Sequence, residues 1–260
     1  LAVLAASGAA MAQSSVTLYG VVDVGVAKLE GVSTQFSGSG LMNNANSRIG
    51  LRGVEDLGGG LKASFNLEQG INPENGGGAS TNGLNGPNWA RAAYAELSGG
   101  FGAVRLGRST NPSFHGMAAW ELTGAANYSA VASQFGFVGD NDGRNDSQIM
   151  YTSPNFGGVT ASAAVVLKPD TGVAVNGQQK AKYDLNVVYA NGPIAAALSY
   201  NQIKDHKANM SLGGSYDLGV AKVAASYQNG YLPGALKTLP STQLNALKYR
   251  GFTIGATVPV

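Results

Sequence analysis

Three observations predict an all-β chain, folded as an antiparallel β-barrel that spans a membrane. From Val16 onward the dominant hydrophobic period is two, which sorts apolar and polar side chains onto opposite faces of extended strands. The links between strands alternate between short turns and long loops. No window offers the eighteen or so apolar residues of a membrane helix, so a crossing must be made with strands. Alternating loop lengths alone would also suit a soluble sandwich. Many runs here, however, reach about ten residues, as a tilted crossing needs, against about five or six in soluble sheets.

The period-two runs mark twelve strands, at 16–28, 45–55, 59–70, 88–98, 102–109, 145–153, 157–168, 180–191, 193–204, 208–218, 220–229 and 245–260. Leu61, Ala63, Phe65 and Leu67 alternate cleanly with Lys62, Ser64, Asn66 and Glu68. In the strand before it, Ile49, Leu51 and Val54 oppose Arg48 and Arg52, with the step slipping near the turn. Tyr183, Leu185, Val187 and Tyr189 oppose Asp184 and Asn186. Turn chemistry fills the short links, among them Asp56-Leu57-Gly58-Gly59, Ser98-Gly99-Gly100-Phe101 and Asn191-Gly192. The longest connection runs from Thr110 to Arg144. Tyr94, Tyr151, Tyr189 and Tyr216 are read on the apolar face near short turns, with Phe65 and Tyr227 toward the loops, as interfacial girdles require.

Composition closes off other classes. The 260 residues carry a net charge of +2, too small and too evenly spread for nucleic-acid binding. With 38 glycines, 9 prolines and no repeating triplet, the glycines belong to turns and close contacts rather than collagen. Zero cysteines exclude disulfides and thiolate metal sites. Residues 1–12 form an apolar stretch ending Ala10-Met11-Ala12, which reads as the remnant of a secretory signal peptide, with the mature domain running over 13–260 from Gln13. No Gly-x-Ser-x-Gly elbow, zinc-spaced histidine pair or phosphate loop is present, so no enzyme, metal or cofactor is expected. The two histidines, His115 and His206, fall in loops.

Several segments resemble the Gram-negative outer-membrane porin family, in its β-proteobacterial trimeric branch. They are Gln13-Ser14-Ser15-Val16-Thr17-Leu18-Tyr19-Gly20 followed by Val22-Asp23, Ser47 through Gly53 running into Glu55 through Ala63, Leu97 through Gly102 with Arg105 and Arg108, and Arg144 with Tyr151 and Ser153 through Gly158. The resemblance implies a sixteen-stranded barrel in the outer membrane, about twelve strands of which are present here, together with a homotrimer and a third long loop, about 110–144, folded into the lumen. The family normally ends on a terminal phenylalanine, whereas this sequence stops at Thr257-Val258-Pro259-Val260, which reads as a C-terminally incomplete barrel.

A diffusion pore works through radius and field. The polar face places Arg48, Arg52, Arg91 and Arg105 in the lumen, with Arg144 at the base of the long loop and Lys62 nearby. Arginine is permanently charged, so such a row favours anions. The resemblance makes Arg48, Arg91 and Arg144 the basic side of a constriction, opposed by loop carboxylates: Glu121, with Asp140 or Asp142 as further candidates. Asp23, Glu55 and Glu68 are lumen carboxylates that could instead pair with the arginines. The expected function is passive diffusion of small hydrophilic solutes, anions preferred, from a protein embedded in outer-membrane lipid. The alternative is a structural or adhesive outer-membrane barrel without an open pore.

Overall fold

The computed structural model describes residues 15–28, 31, 33–38, 43–79, 89–134, 143–167, 174–175, 178–205, 207–231 and 248–259. The expected signal remnant, Asp140, Asp142 and His206 lie outside these residues. Among the described residues no helix is long and apolar enough to cross a membrane.

The first half of the chain contributes β1 Ser15–Val21, β2 Gly25–Ala27, β3 Gln35–Ser37, β4 Arg48–Gly58, β5 Leu61–Ile71, β6 Gly78–Ala79, β7 Ala92–Gly99 and β8 Gly102–Thr110. Two short helices follow, α1 Pro112–Ala118 and α2 Ala130–Gln134. The second half contributes β9 Arg144–Thr152, β10 Val159–Val166, β11 Ala174–Val175, β12 Gln178–Gln179, β13 Lys182–Asn191, β14 Ile194–Ile203, β15 Asn209–Asp217, β16 Lys222–Tyr231 and β17 Lys248–Thr257. Twelve of these strands form one meander, β1-β4-β5-β7-β8-β9-β10-β13-β14-β15-β16-β17, each antiparallel to its neighbour, and β6 adds to the end of β5. Next-neighbour pairing of this kind needs only hairpins.

Each of the twelve predicted strands is present, with ends moved by a few residues. The first departs most. A single strand over 16–28 was expected, but β1 stops at Val21 and the chain turns away into the separate β2–β3 hairpin. Asp23 sits at this turn, accepting from Asn43 Nδ2 at 2.9 Å and from the Ala45 amide at 3.0 Å. The tight β4–β5 turn runs through Gly58, Gly59 and Gly60, all at positive φ, where a side chain would be strained.

Register assigns the faces. Leu18 lies opposite Leu51, which lies opposite Leu67, and this outer row is apolar. Its large side chains stay exposed, Leu18 at 66 % and Ile254 at 82 %, an apolar belt far larger than a water-soluble surface carries. Tyr151, Tyr189 and Tyr216 also face outward, near the short turns. Two readings need correction. The register shift falls between Asp56 and Gly58, so Val54, opposite Ser64, shares the face of Arg52 rather than that of Leu51. Tyr94 lies opposite Asn66 and Gly107, on the inner face, and is not part of the outer girdle.

Candidate functional site: a basic wall and an inserted loop

The long connection after β8 turns inward. Asn111 caps α1, its Oδ1 accepting from the Phe114 amide at 2.8 Å, with Pro112 at the start of the helix. The helix packs on the inner faces of β10, β13 and β14. The Ser113 amide and hydroxyl both donate to Asp184 Oδ1, at 2.9 and 2.7 Å, while Asn186 Nδ2 donates to the Pro112 carbonyl at 2.6 Å and Asn201 Nδ2 to Ser113 Oγ at 3.1 Å. These polar groups are buried, and paired donors and acceptors there fix the loop's register on the wall.

Beyond the helix, Trp120 lies against Gly213 of β15, where no side chain interferes, and Leu122 reaches Gly255 of β17. Met117, Trp120, Ala197 and Ala224 form a small apolar core inside the barrel. The loop then crosses to the segment before β4: Asn127 Nδ2 donates to Asn46 Oδ1 and the Tyr128 hydroxyl to Asn44 Oδ1, both at 2.7 Å. A loop touching β13, β14, β15, β17 and the approach to β4 is surrounded by the sheet, which therefore curves around it. The inner face of β4, β5, β7 and β8 carries the basic groups.

On that wall Glu68 is a hub. Its carboxylate lies 2.7 Å from Arg91 Nε, 3.4 Å from Arg48 Nε and 2.8 Å from the Tyr19 hydroxyl. Arg105 pairs with Glu96 at 2.7 Å and stands over the Tyr94 ring, 4.2 Å from its centroid. Arg52 stands over the Tyr19 ring at 5.3 Å, and among the described residues no carboxylate pairs with it. Arg144 donates Nε to the Arg91 carbonyl at 2.8 Å, which holds it beside the cluster. Of the guanidinium groups of Arg48, Arg52, Arg91 and Arg105, three thus share the carboxylates of Glu68 and Glu96, and Arg144 adds a further cation at the rim of the cluster. Lys62, opposite Asp56 and Ser98, continues the inner face toward the short-turn end.

Two predicted carboxylates are occupied elsewhere. Glu121, expected to oppose the arginines, is buried and turned into its own loop, accepting from Thr123 N and Ala125 N at 2.8 Å, Thr123 Oγ1 at 2.6 Å and Ser129 Oγ at 2.8 Å. Burial alone would raise its pKa, but these hydrogen bonds outweigh it and hold the carboxyl below the ordinary glutamate value. Asp23 is likewise held below its ordinary value, by the Asn43 side chain and the Ala45 amide, and organises the turn after β1. Glu55, opposite Ala63, falls on the face of Leu51 and Phe65 rather than beside Arg52. His115 of α1 contacts Thr110 Oγ1 at the end of β8 at 3.0 Å; burial, with Arg105 nearby, pushes its pKa down to about 4. It packs the loop.

Pattern reasoning missed the tyrosine platforms. Tyr19 is in step with Thr17, and Tyr94 with Glu96, so parity was the available signal; Tyr94 was expected in the outer girdle instead, and Tyr19 was assigned no role. The Trp120–Gly213 seat has no sequence signal, because the partners are brought together only by the sheet.

An antiparallel meander with an apolar outside, a polar inside and a loop seated within defines a membrane channel barrel. Comparison with known proteins agrees: the family described as Gram-negative porin matches residues 1–260, and the chain belongs to that family. It is 36% identical to the outer membrane porin protein 32 of Delftia acidovorans over all of this chain and 74% of that protein. A porin of Bordetella pertussis is 30% identical over 98% of this chain and 78% of that one. Among solved structures, an anion-selective porin from Comamonas acidovorans aligns at a TM-score of 0.74 and 30% identity, covering 95% of this chain and 75% of that one. The protein is an outer-membrane porin, a water-filled channel for passive diffusion of small hydrophilic solutes and ions.

Proposed function

We propose that this porin prefers anions, with Arg48, Arg91 and Arg144 on one side of its narrowest passage and Arg52, Arg105 and Lys62 continuing the basic surface along the wall. The observation that carries the reading is the charge imbalance of the wall formed by β4, β5, β7 and β8, where the guanidiniums of Arg48, Arg52, Arg91 and Arg105 face Glu68 and Glu96, and Lys62 lies opposite Asp56, while Glu121 turns its carboxylate into the loop. Fixed charges lining a narrow polar passage bias the ions that enter it. The similarity to an anion-selective porin points the same way.

The protein acts as a channel and not as an enzyme, assembles as a homotrimer in outer-membrane lipid, and has a mature domain that starts at Gln13 after removal of residues 1–12 as a leader. Exchanging Arg48, Arg91 and Arg144 together for glutamine should lower the anion-to-cation permeability ratio several-fold in planar bilayers. An unchanged ratio would remove these three residues from the selectivity mechanism.

A further inference from the structure

The arginines of the wall are not equivalent. Arg48 and Arg91 share Glu68, and Arg105 is held by Glu96. Arg52 is exposed and, among the described residues, has a ring beneath it and no carboxylate beside it. That ring is fixed: Tyr19 lies across Gly50, where a side chain would collide with it, and its hydroxyl is within 2.9 Å of Asn66 Oδ1 and 2.8 Å of Glu68 Oε2. A guanidinium held over an aromatic face at this distance is attracted by the ring, a contact that uses up none of its N–H groups as a carboxylate would. Asn66 stands directly across the ladder from Arg52, with its side-chain amide against the Tyr19 hydroxyl. Arg52 is four residues along β4 from Arg48, about 13 Å toward the short-turn rim, beyond the Glu68 cluster.

We infer that Arg52 on its Tyr19 platform is a carboxylate-recognition station, selecting anions with two coplanar oxygens over spherical halides. The fork donates two parallel N–H bonds to a carboxylate, which a single-centre ion such as chloride cannot accept in the same geometry. The permeant class favoured is therefore small organic carboxylates. The station is open to water, so it holds them weakly enough to release them.

This inference rests on the anion-preferring reading, and its test separates the two. Channel conductance is measured in planar bilayers against concentration, in potassium acetate and in potassium chloride. The wild type should saturate at an acetate concentration roughly three- to tenfold below that for chloride, the scale of one weak charge-assisted contact. Arg52→Lys, which keeps the charge and loses the fork, should bring the two curves together while the zero-current potential in a KCl gradient stays anion-selective. Tyr19→Leu, which removes the platform, should also narrow the gap. Equal saturation in the wild type, or a gap that survives Arg52→Lys or Tyr19→Leu, overturns the inference. A cation-selective potential in the wild type contradicts the anion-preferring reading itself.

Discussion

Glu68 both assembles the basic cluster and cancels part of its charge, so its removal should separate those two effects. Glu68→Gln leaves Arg48, Arg91 and Tyr19 facing a neutral acceptor. The anion-to-cation permeability ratio should rise, and stability should fall by about 1–3 kcal/mol, the cost of a lost charge-assisted hydrogen bond in a partly buried site. Thermal unfolding in detergent and the zero-current potential measure the two. His115 makes a different prediction. Its folded pKa, about 4, lies below the ordinary 6.5, so it stabilises the loop fully above 6.5 and loses that contribution as pH falls toward 4. Glu121, also depressed, adds a loss only below its ordinary value of 4.5. Conductance should therefore hold steady from pH 8 to about 6.5, with loop anchoring weakening below. An NMR titration placing His115 near 6.5 would contradict its burial in the loop.

At the scale of elements, the strands were legible because a half-buried strand writes its period into the sequence. The run from Leu61 to Glu68 needed no structure to assign. Faces near the turns were less legible: the extra residue falls at Asp56–Gly58, so Val54 keeps the face of Arg52, and no propensity records where along the strand the step slips. The inserted loop was legible as long and central, but not in its path, which depends on absent side chains at Gly213 and Gly255. Trp120→Ala should loosen the loop by about 3–5 kcal/mol, as for other buried tryptophans. Gly213→Leu should do the same from the opposite side by blocking the seat. Both variants should show larger or noisier single-channel conductance and faster proteolysis within 110–134 than the wild type. A variant with unaltered conductance and cleavage would mean that the Asp184, Asn186 and Asn201 contacts alone hold the loop.

Across the whole molecule, the division of labour follows from how the loop lies. It seats on β13 and β14 through hydrogen bonds to Asp184, Asn186 and Asn201 and on β15 and β17 through Trp120 and Leu122, and it leaves the inner face of the arginine-bearing strands uncovered by α1. The candidate arginines were legible as a polar-face set; their inequality was not, since Glu68 and Glu96 choose partners only once the strands are in register. The resulting field acts over roughly a Debye length, about 10 Å at 0.1 M salt and about 3 Å at 1 M, so selectivity should weaken as salt rises. The central claim is a net basic passage, and the zero-current potential of the wild-type channel across a KCl gradient with a dilute side near 0.1 M tests it most directly. The account predicts the sign for chloride outrunning potassium; a potential of the opposite sign would contradict it.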